Sequence, residues 1–162
     1  MGSRFMGTLK YILGNFEEIL SVILLSIVCL LIALQVFCRY VLRSPLVWSE
    51  ELTRYTFIWL SFIGAVFALK RRAHISVEAL VRVLPQKLQV FLEIIVNLGI
   101  VAGLLVIIPN GFSFSKFMLR IGSSAMGIPM GFLYLALPLS FSLMVIHLAI
   151  AIVRAFRALV SH

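Results

Sequence analysis

An all-α integral membrane protein with four transmembrane helices is the fold class this sequence predicts, and three observations lead there. Hydrophobic residues make up 62% of the chain and charged residues only 12%, against about 45–50% apolar in a soluble domain. The apolar residues gather into four long runs separated by short polar segments, and the mean hydropathy is +1.14. Basic clusters stand between the runs, where they meet anionic lipid, and no basic stripe is interleaved with aromatics. The net charge of +8 therefore reads as a membrane feature, and nucleic acid is excluded as a partner.

Residues 1–15 predict an amphipathic segment on the cytoplasmic surface, with Phe5, Leu9, Ile12 and Leu13 at helical spacing beside Arg4 and Lys10. Met6 stands where a myristoylation signal needs Ser or Thr. The first spanning helix is expected at 16–39. Its run from Ile19 to Cys38 holds 20 uncharged residues, enough to cross, and no small-residue cleavage site follows. Glu17 and Glu18 precede the run, where negative charge suits a helix N-terminus at the water boundary. Cys29 and Cys38 are nine positions apart on one helix, about 13 Å along its axis, too far to bridge.

A hairpin at 40–48, with the break Ser44-Pro45, leads to the second helix at 49–70. Ser49 is the expected N-cap, with Glu50 and Glu51 in the first turn. Arg39, Glu50, Glu51 and Arg54 are thus expected at one membrane surface, and Glu50 precedes Arg54 by four, the favourable order for a helical pair. Two readings apply to the four: helix-end anchors in the head-group layer, or a paired cluster that fixes the hairpin and offers a docking surface.

Lys70, Arg71 and Arg72 stop the second helix. The loop at 71–85 predicts a short interfacial helix, because Val77, Leu80, Val81 and Leu84 share one face opposite Glu78 and Arg82. Pro85 suits the start of a new helix, and the third span is expected at 86–115. Pro109-Asn110-Gly111 predicts a kink there, or an early end. Gly99 and Gly103 form a Gly-x-x-x-Gly pair that permits close helix packing, and Asn97 is near them. After a Ser- and Gly-rich loop at 116–127, the fourth span is expected at 128–153, bent at Pro138 and closed by Arg154 and Arg157 ahead of a cytoplasmic tail at 154–162.

Orientation follows from the cations. Arg4, Lys10, Lys70, Arg71, Arg72, Arg82, Lys87, Arg154 and Arg157 fall on one side, and Arg39, Arg43, Arg54, Lys116 and Arg120 on the other. The richer side is expected to be cytoplasmic, with both termini there. Lys70, Arg71, Arg72, Trp59 and Trp48 then suit lipid anchoring.

No phosphate loop, zinc-type spacing or nucleophile with its base is present. His74 and His147 raise a haem-binding redox subunit as one alternative, which requires both at one depth. A small proton-coupled exporter is another, but it would need an acid in the hydrocarbon. Every Glu here is expected at a helix end or in a loop. A chain without a carrier points to support of transport performed by another chain.

The stretch Phe37-Cys38-Arg39-Tyr40, then Trp48-Ser49-Glu50-Glu51-Leu52 with Arg54-Tyr55, Gly64-Ala65, His74-Ile75 and Leu84-Pro85, resembles the small membrane subunit, DctQ-type, of tripartite ATP-independent periplasmic (TRAP) transporters. Ser124-Ala125, Ile128-Pro129 and Pro138 match its fourth-helix region. The resemblance implies a non-catalytic inner-membrane subunit that braces a large membrane subunit during uptake of an organic acid, of C4-dicarboxylate or sialic acid type. It also implies a periplasmic substrate-binding protein, and sodium bound by the large subunit, with no cofactor in this chain. Arg39, Trp48, Glu50, Glu51 and Arg54 would be structural or docking residues.

Overall fold

A computed structural model describes residues 15–71 and 85–160, apart from the side chains of 86, 87 and 158–160. The expected amphipathic N-terminus, the interfacial helix, Arg72 and His74 lie outside the described residues. Among the described residues five helices form: α1 Phe16–Tyr40, α2 Val47–Lys70, α3 Gln86–Met118, a single turn α4 Gly131–Tyr134, and α5 Ala136–Val160. Four spans are long and apolar enough to cross a membrane, the fourth made of α4 and α5 together.

Glu17 and Glu18 in the first turn of α1 and Arg39 in its last turn oppose the helix dipole at both ends. The chain then turns through Arg43 at φ 51°, in the left-handed region. α2 starts at Val47, two residues before the expected cap. Ser49 is not that cap: its hydroxyl donates back to Leu46 O at 2.8 Å, and the residue is fully buried.

α3 does not end at Pro109. The helix continues to Met118 because only the proline amide is lost. Asn110 Nδ2 donates to Val106 O at 2.9 Å and Ser113 Oγ to Pro109 O at 2.9 Å, keeping local carbonyls occupied. Gly111, part of the expected turn signal, is instead a close-approach site. A Cβ there would meet Leu137 and Pro138 side chains at 3.1–3.4 Å. Glu93, expected at a helix end within the span at 86–115, lies two turns inside α3. At 33 residues the helix is about 50 Å long, so its first turns extend past a hydrocarbon layer of about 30 Å.

The fourth span is broken at Leu135, between α4 and α5, and Pro138 sits in the first turn of α5. A proline there lacks the amide that would close onto Tyr134, which places the break before it and not within the later helix. α5 runs on past Val153 to Val160, so Arg154 and Arg157 are inside the helix they were expected to terminate. The 119–130 connection folds back on itself: Ser123 N donates to Ile128 O and Met130 N to Ile121 O, each at 2.9 Å. Gly127 at φ +67° supplies the left-handed residue this turn needs.

Packing is sequential in space. α1 packs on α2, α2 on α5 and α5 on α3, giving an open row with α1 and α3 at its ends. The seam of α1 shows how narrow each contact is. Glu17, Ser21, Leu24, Val28, Leu31, Gln35 and Cys38 recur at spacings of four and three and are its most covered stripe. Val22, Ile23, Leu30 and Val36 face outward. Cys29 is exposed and Cys38 buried, both free. Such an apolar exterior is intolerable in water and ordinary in lipid, where packing and polar links, not hydrophobic burial, hold helices together.

Candidate functional site

Two carboxylates tie this row together, one at each end of α2. At the first end, Glu17 on α1 accepts from Lys70 Nζ of α2 at 2.7 Å and from His147 Nε2 of α5 at 2.8 Å. A carboxylate only accepts, so Nε2 carries the proton. The Glu17 side chain is 8% exposed and both of its oxygens are used. Beside it, Arg71 pairs with Glu18 at 2.9 Å in a more exposed setting and stacks over Phe67, its guanidinium 4.8 Å from the ring centre.

At the opposite end Glu51 is buried. Its Oε2 accepts the backbone amides of Ala125 at 2.9 Å and Met126 at 3.1 Å, and Tyr55 donates its hydroxyl to Oε1 at 2.6 Å. Two successive amides converging on one carboxylate make a small anion cradle, and Glu51 fills it from another helix. The link pins the 119–130 connection to the start of α2. A cavity of about 210 Å³ lies there, lined by Val47, Glu50, Glu51, Arg54, Ser124 and Ala125.

The four ionisable groups expected to meet at this surface therefore separate into different roles. Glu50 and Arg54 pair at 3.8 Å with both side chains nearly two-thirds exposed, an arrangement that contributes little in water. Glu51 turns inward. Arg39 is exposed and, among the described residues, forms no ion pair with either glutamate. Trp48, at the start of α2, is partly exposed and keeps a position suited to the head-group layer.

Other expected sites land differently. Lys70 and Arg71 are committed to Glu17 and Glu18, so their charge is met by protein. Trp59 sits at the middle of α2, about 17 Å from either end, which is hydrocarbon depth and does not suit head-group anchoring. Gly99 and Gly103 face open space, with nothing within 4 Å of a Cβ built on either. Among the described residues nothing packs closely on either.

Sequence reasoning did not find the Glu17–His147 contact or two further polar links. Gln35 Nε2 donates to Thr53 Oγ1 at 2.9 Å between α1 and α2. Ser115 Oγ donates to Gly131 O at 2.7 Å, buried, between α3 and α4. Part of the first clamp carried a signal: Glu17-Glu18 and Lys70-Arg71 have opposite charge and fall on the same expected side of the membrane. Among the described residues no group of three His, Cys, Asp or Glu is arranged to hold a metal ion.

Residues 28–158 match the model of the DctQ component of tripartite ATP-independent periplasmic transporters. The chain is 35% identical over 133 residues to a Haemophilus influenzae protein named as a TRAP transporter small permease, a match covering 81% of each chain. It is 29% identical over 108 residues to the sialic acid TRAP transporter small permease protein SiaQ of Vibrio cholerae, covering 67% of this chain and 62% of that one. With the isethionate TRAP transporter permease protein DctMQ of Oleidesulfovibrio alaskensis it shares 29% identity over 150 residues, 88% of this chain but 24% of that longer protein.

Proposed function

Since the chain belongs to the DctQ family of TRAP transporter components, a multi-pass inner-membrane transport subunit and not an enzyme, we propose that it is the stationary brace of a sodium-coupled permease. Its partner in this reading is the large membrane subunit, which carries the substrate and sodium sites. TRAP small subunits partner with large permease subunits, and relatives such as DctMQ hold a region like this one within a single longer permease. The solute is an organic acid of C4-dicarboxylate or sialic acid type, delivered by a periplasmic binding protein; relatives named for both solutes are similar to this chain.

The observation that carries the proposal is the open row clamped at both ends of α2. An open row encloses no solute path among the described residues, so transport needs another chain. Clamps made by buried carboxylates resist shear between the α1–α2 hairpin and α5, because sliding by one turn would break the Glu17–His147 contact and pull Glu51 from its amide cradle, leaving each carboxylate with a single partner, Lys70 or Tyr55. Rigidity of this kind suits a part that stays still while a neighbouring domain moves. Exposed apolar faces of α1 and α3 supply the area for lipid and for the large subunit.

The test is co-expression with the large subunit. Glu51→Lys should reduce recovery of the complex and solute uptake together, while solute binding by the isolated periplasmic protein stays unchanged. Uptake by this chain reconstituted without any partner would overturn the reading.

A further inference from the structure

The side of the row that holds Glu17 presents four described cations on α2 and α5, and the structure treats them unequally. Lys70 and Arg71 are neutralised by Glu17 and Glu18. Arg154 and Arg157 are exposed, and neither forms an ion pair or hydrogen bond among the described residues. They stand three apart on α5, so their guanidinium groups lie over adjacent turns of one face. With Ala149, Ile150 and Val153 they line a shallow, open groove of about 320 Å³ along α5.

The lining is graded along the helix axis: apolar toward the membrane interior, cationic toward the end of α5. Arg154 follows His147 by seven residues, so the guanidinium pair lies about 10 Å beyond the level of the Glu17 clamp. Ile150 and Val153 remain about half exposed along that distance. This order of groups is complementary to one kind of ligand, an acyl chain joined to an anionic head group. Guanidinium is suited to it, because its planar fork meets two phosphate oxygens at once.

We infer that Ala149, Ile150, Val153, Arg154 and Arg157 form a binding site for an anionic phospholipid of the phosphatidylglycerol type. Its phosphate sits between Arg154 and Arg157, and one acyl chain follows Ile150 and Val153 back along α5. The specific lipid contact is thereby placed on α5, away from Lys70 and Arg71, whose charge is already met by α1.

Native mass spectrometry of the full chain, released from detergent after incubation with phosphatidylglycerol or phosphatidylcholine of matched acyl chains, tests this. The expected result is selective retention of phosphatidylglycerol, weakened about tenfold in Arg154→Gln/Arg157→Gln. Arg154→Lys/Arg157→Lys, which keeps the charge and confirms that the double change is tolerated, should retain the selectivity. Arg71→Gln should leave it unchanged. Equal retention of the two lipids overturns the inference, as does a double glutamine variant that still selects phosphatidylglycerol, or an equal loss in Arg71→Gln. Displacement of the lipid by excess inorganic phosphate would show a simple anion site and also overturn it. So would a double glutamine variant that keeps the lipid but no longer co-purifies with the large subunit, since the arginines would then face protein.

Discussion

Glu17 and His147, separated by 130 positions in the chain, meet at 2.8 Å, and the same carboxylate holds Lys70 at 2.7 Å. One side chain thus joins α1, α2 and α5 where the α1–α2 hairpin ends. A lone histidine in an apolar run of 26 residues and a buried glutamate each need a partner, and each supplies it to the other.

Replacing Glu17 by Gln keeps the shape and removes the charge. Loss of a charge-assisted contact of this kind costs roughly 1.5–3 kcal/mol, so the melting temperature of the purified chain should fall by several degrees. A double-mutant cycle with His147→Phe should give a coupling of about 0.5–3 kcal/mol. Additive effects would mean that the contact contributes nothing of its own.

At the other end of α2 the neighbouring glutamates should behave differently. Glu51→Gln removes the negative charge on which the amides of Ala125 and Met126 converge and leaves only a neutral acceptor, and their hydrogen exchange should speed up about tenfold or more as the 119–130 connection loosens. Glu50→Gln, at an exposed pair, should leave both the exchange and the melting temperature as they were. Similar responses from the two variants would contradict the division of roles seen here.

Gly131 is the tightest glycine among the described residues. A Cβ there would lie 2.5–2.6 Å from Leu119 Cγ and Cδ2 and from the backbone carbonyl of Ser115. Backbone cannot rotate aside, so Gly131→Ala should cost about 1–3 kcal/mol and weaken the Ser115 link between α3 and α4. A thermal melt indistinguishable from wild type would show that α4 is free to shift.

Gly99 and Gly103 make the opposite case. Because open space surrounds both, Gly99→Leu and Gly103→Leu should not change the stability of the isolated chain. If the Gly-x-x-x-Gly face packs on the large subunit, co-purification should drop severalfold. Full recovery of the complex with both variants would assign that face to lipid.

The fold was legible where one physical property dominates. Only helices and closed barrels satisfy the backbone in a bilayer, and Ile19–Cys38 and Ile128–Val153, of 20 and 26 residues, have helix length and exceed a barrel strand. Ends were less legible. Ser49 has the residue type of a cap, yet it back-bonds to Leu46 inside a helix that had already begun. Pro109-Asn110-Gly111 has the composition of a turn, yet the helix runs through it, because Pro109 withholds only the one amide that would have bonded to Leu105 O. The site was legible only in part. The residue type of Glu51 marked it for interaction, while its partners are amides of a loop 74 and 75 positions away.

By itself the sequence determined the membrane class, the four spans and the family resemblance, because each is a property of local composition or of residue order and survives any packing. Tertiary structure decided which charges are spent inside the chain and which remain for others. Glu50 and Glu51 are adjacent and chemically alike, but the rotation of about 100° between neighbouring helical positions separates an exposed surface from a buried amide pair. Lys70 and Arg157 look equivalent in a count of cations, but only the first has a carboxylate brought to it by another helix. Such assignments depend on distances between segments far apart in the chain, and those distances are set by how the helices pack in the row.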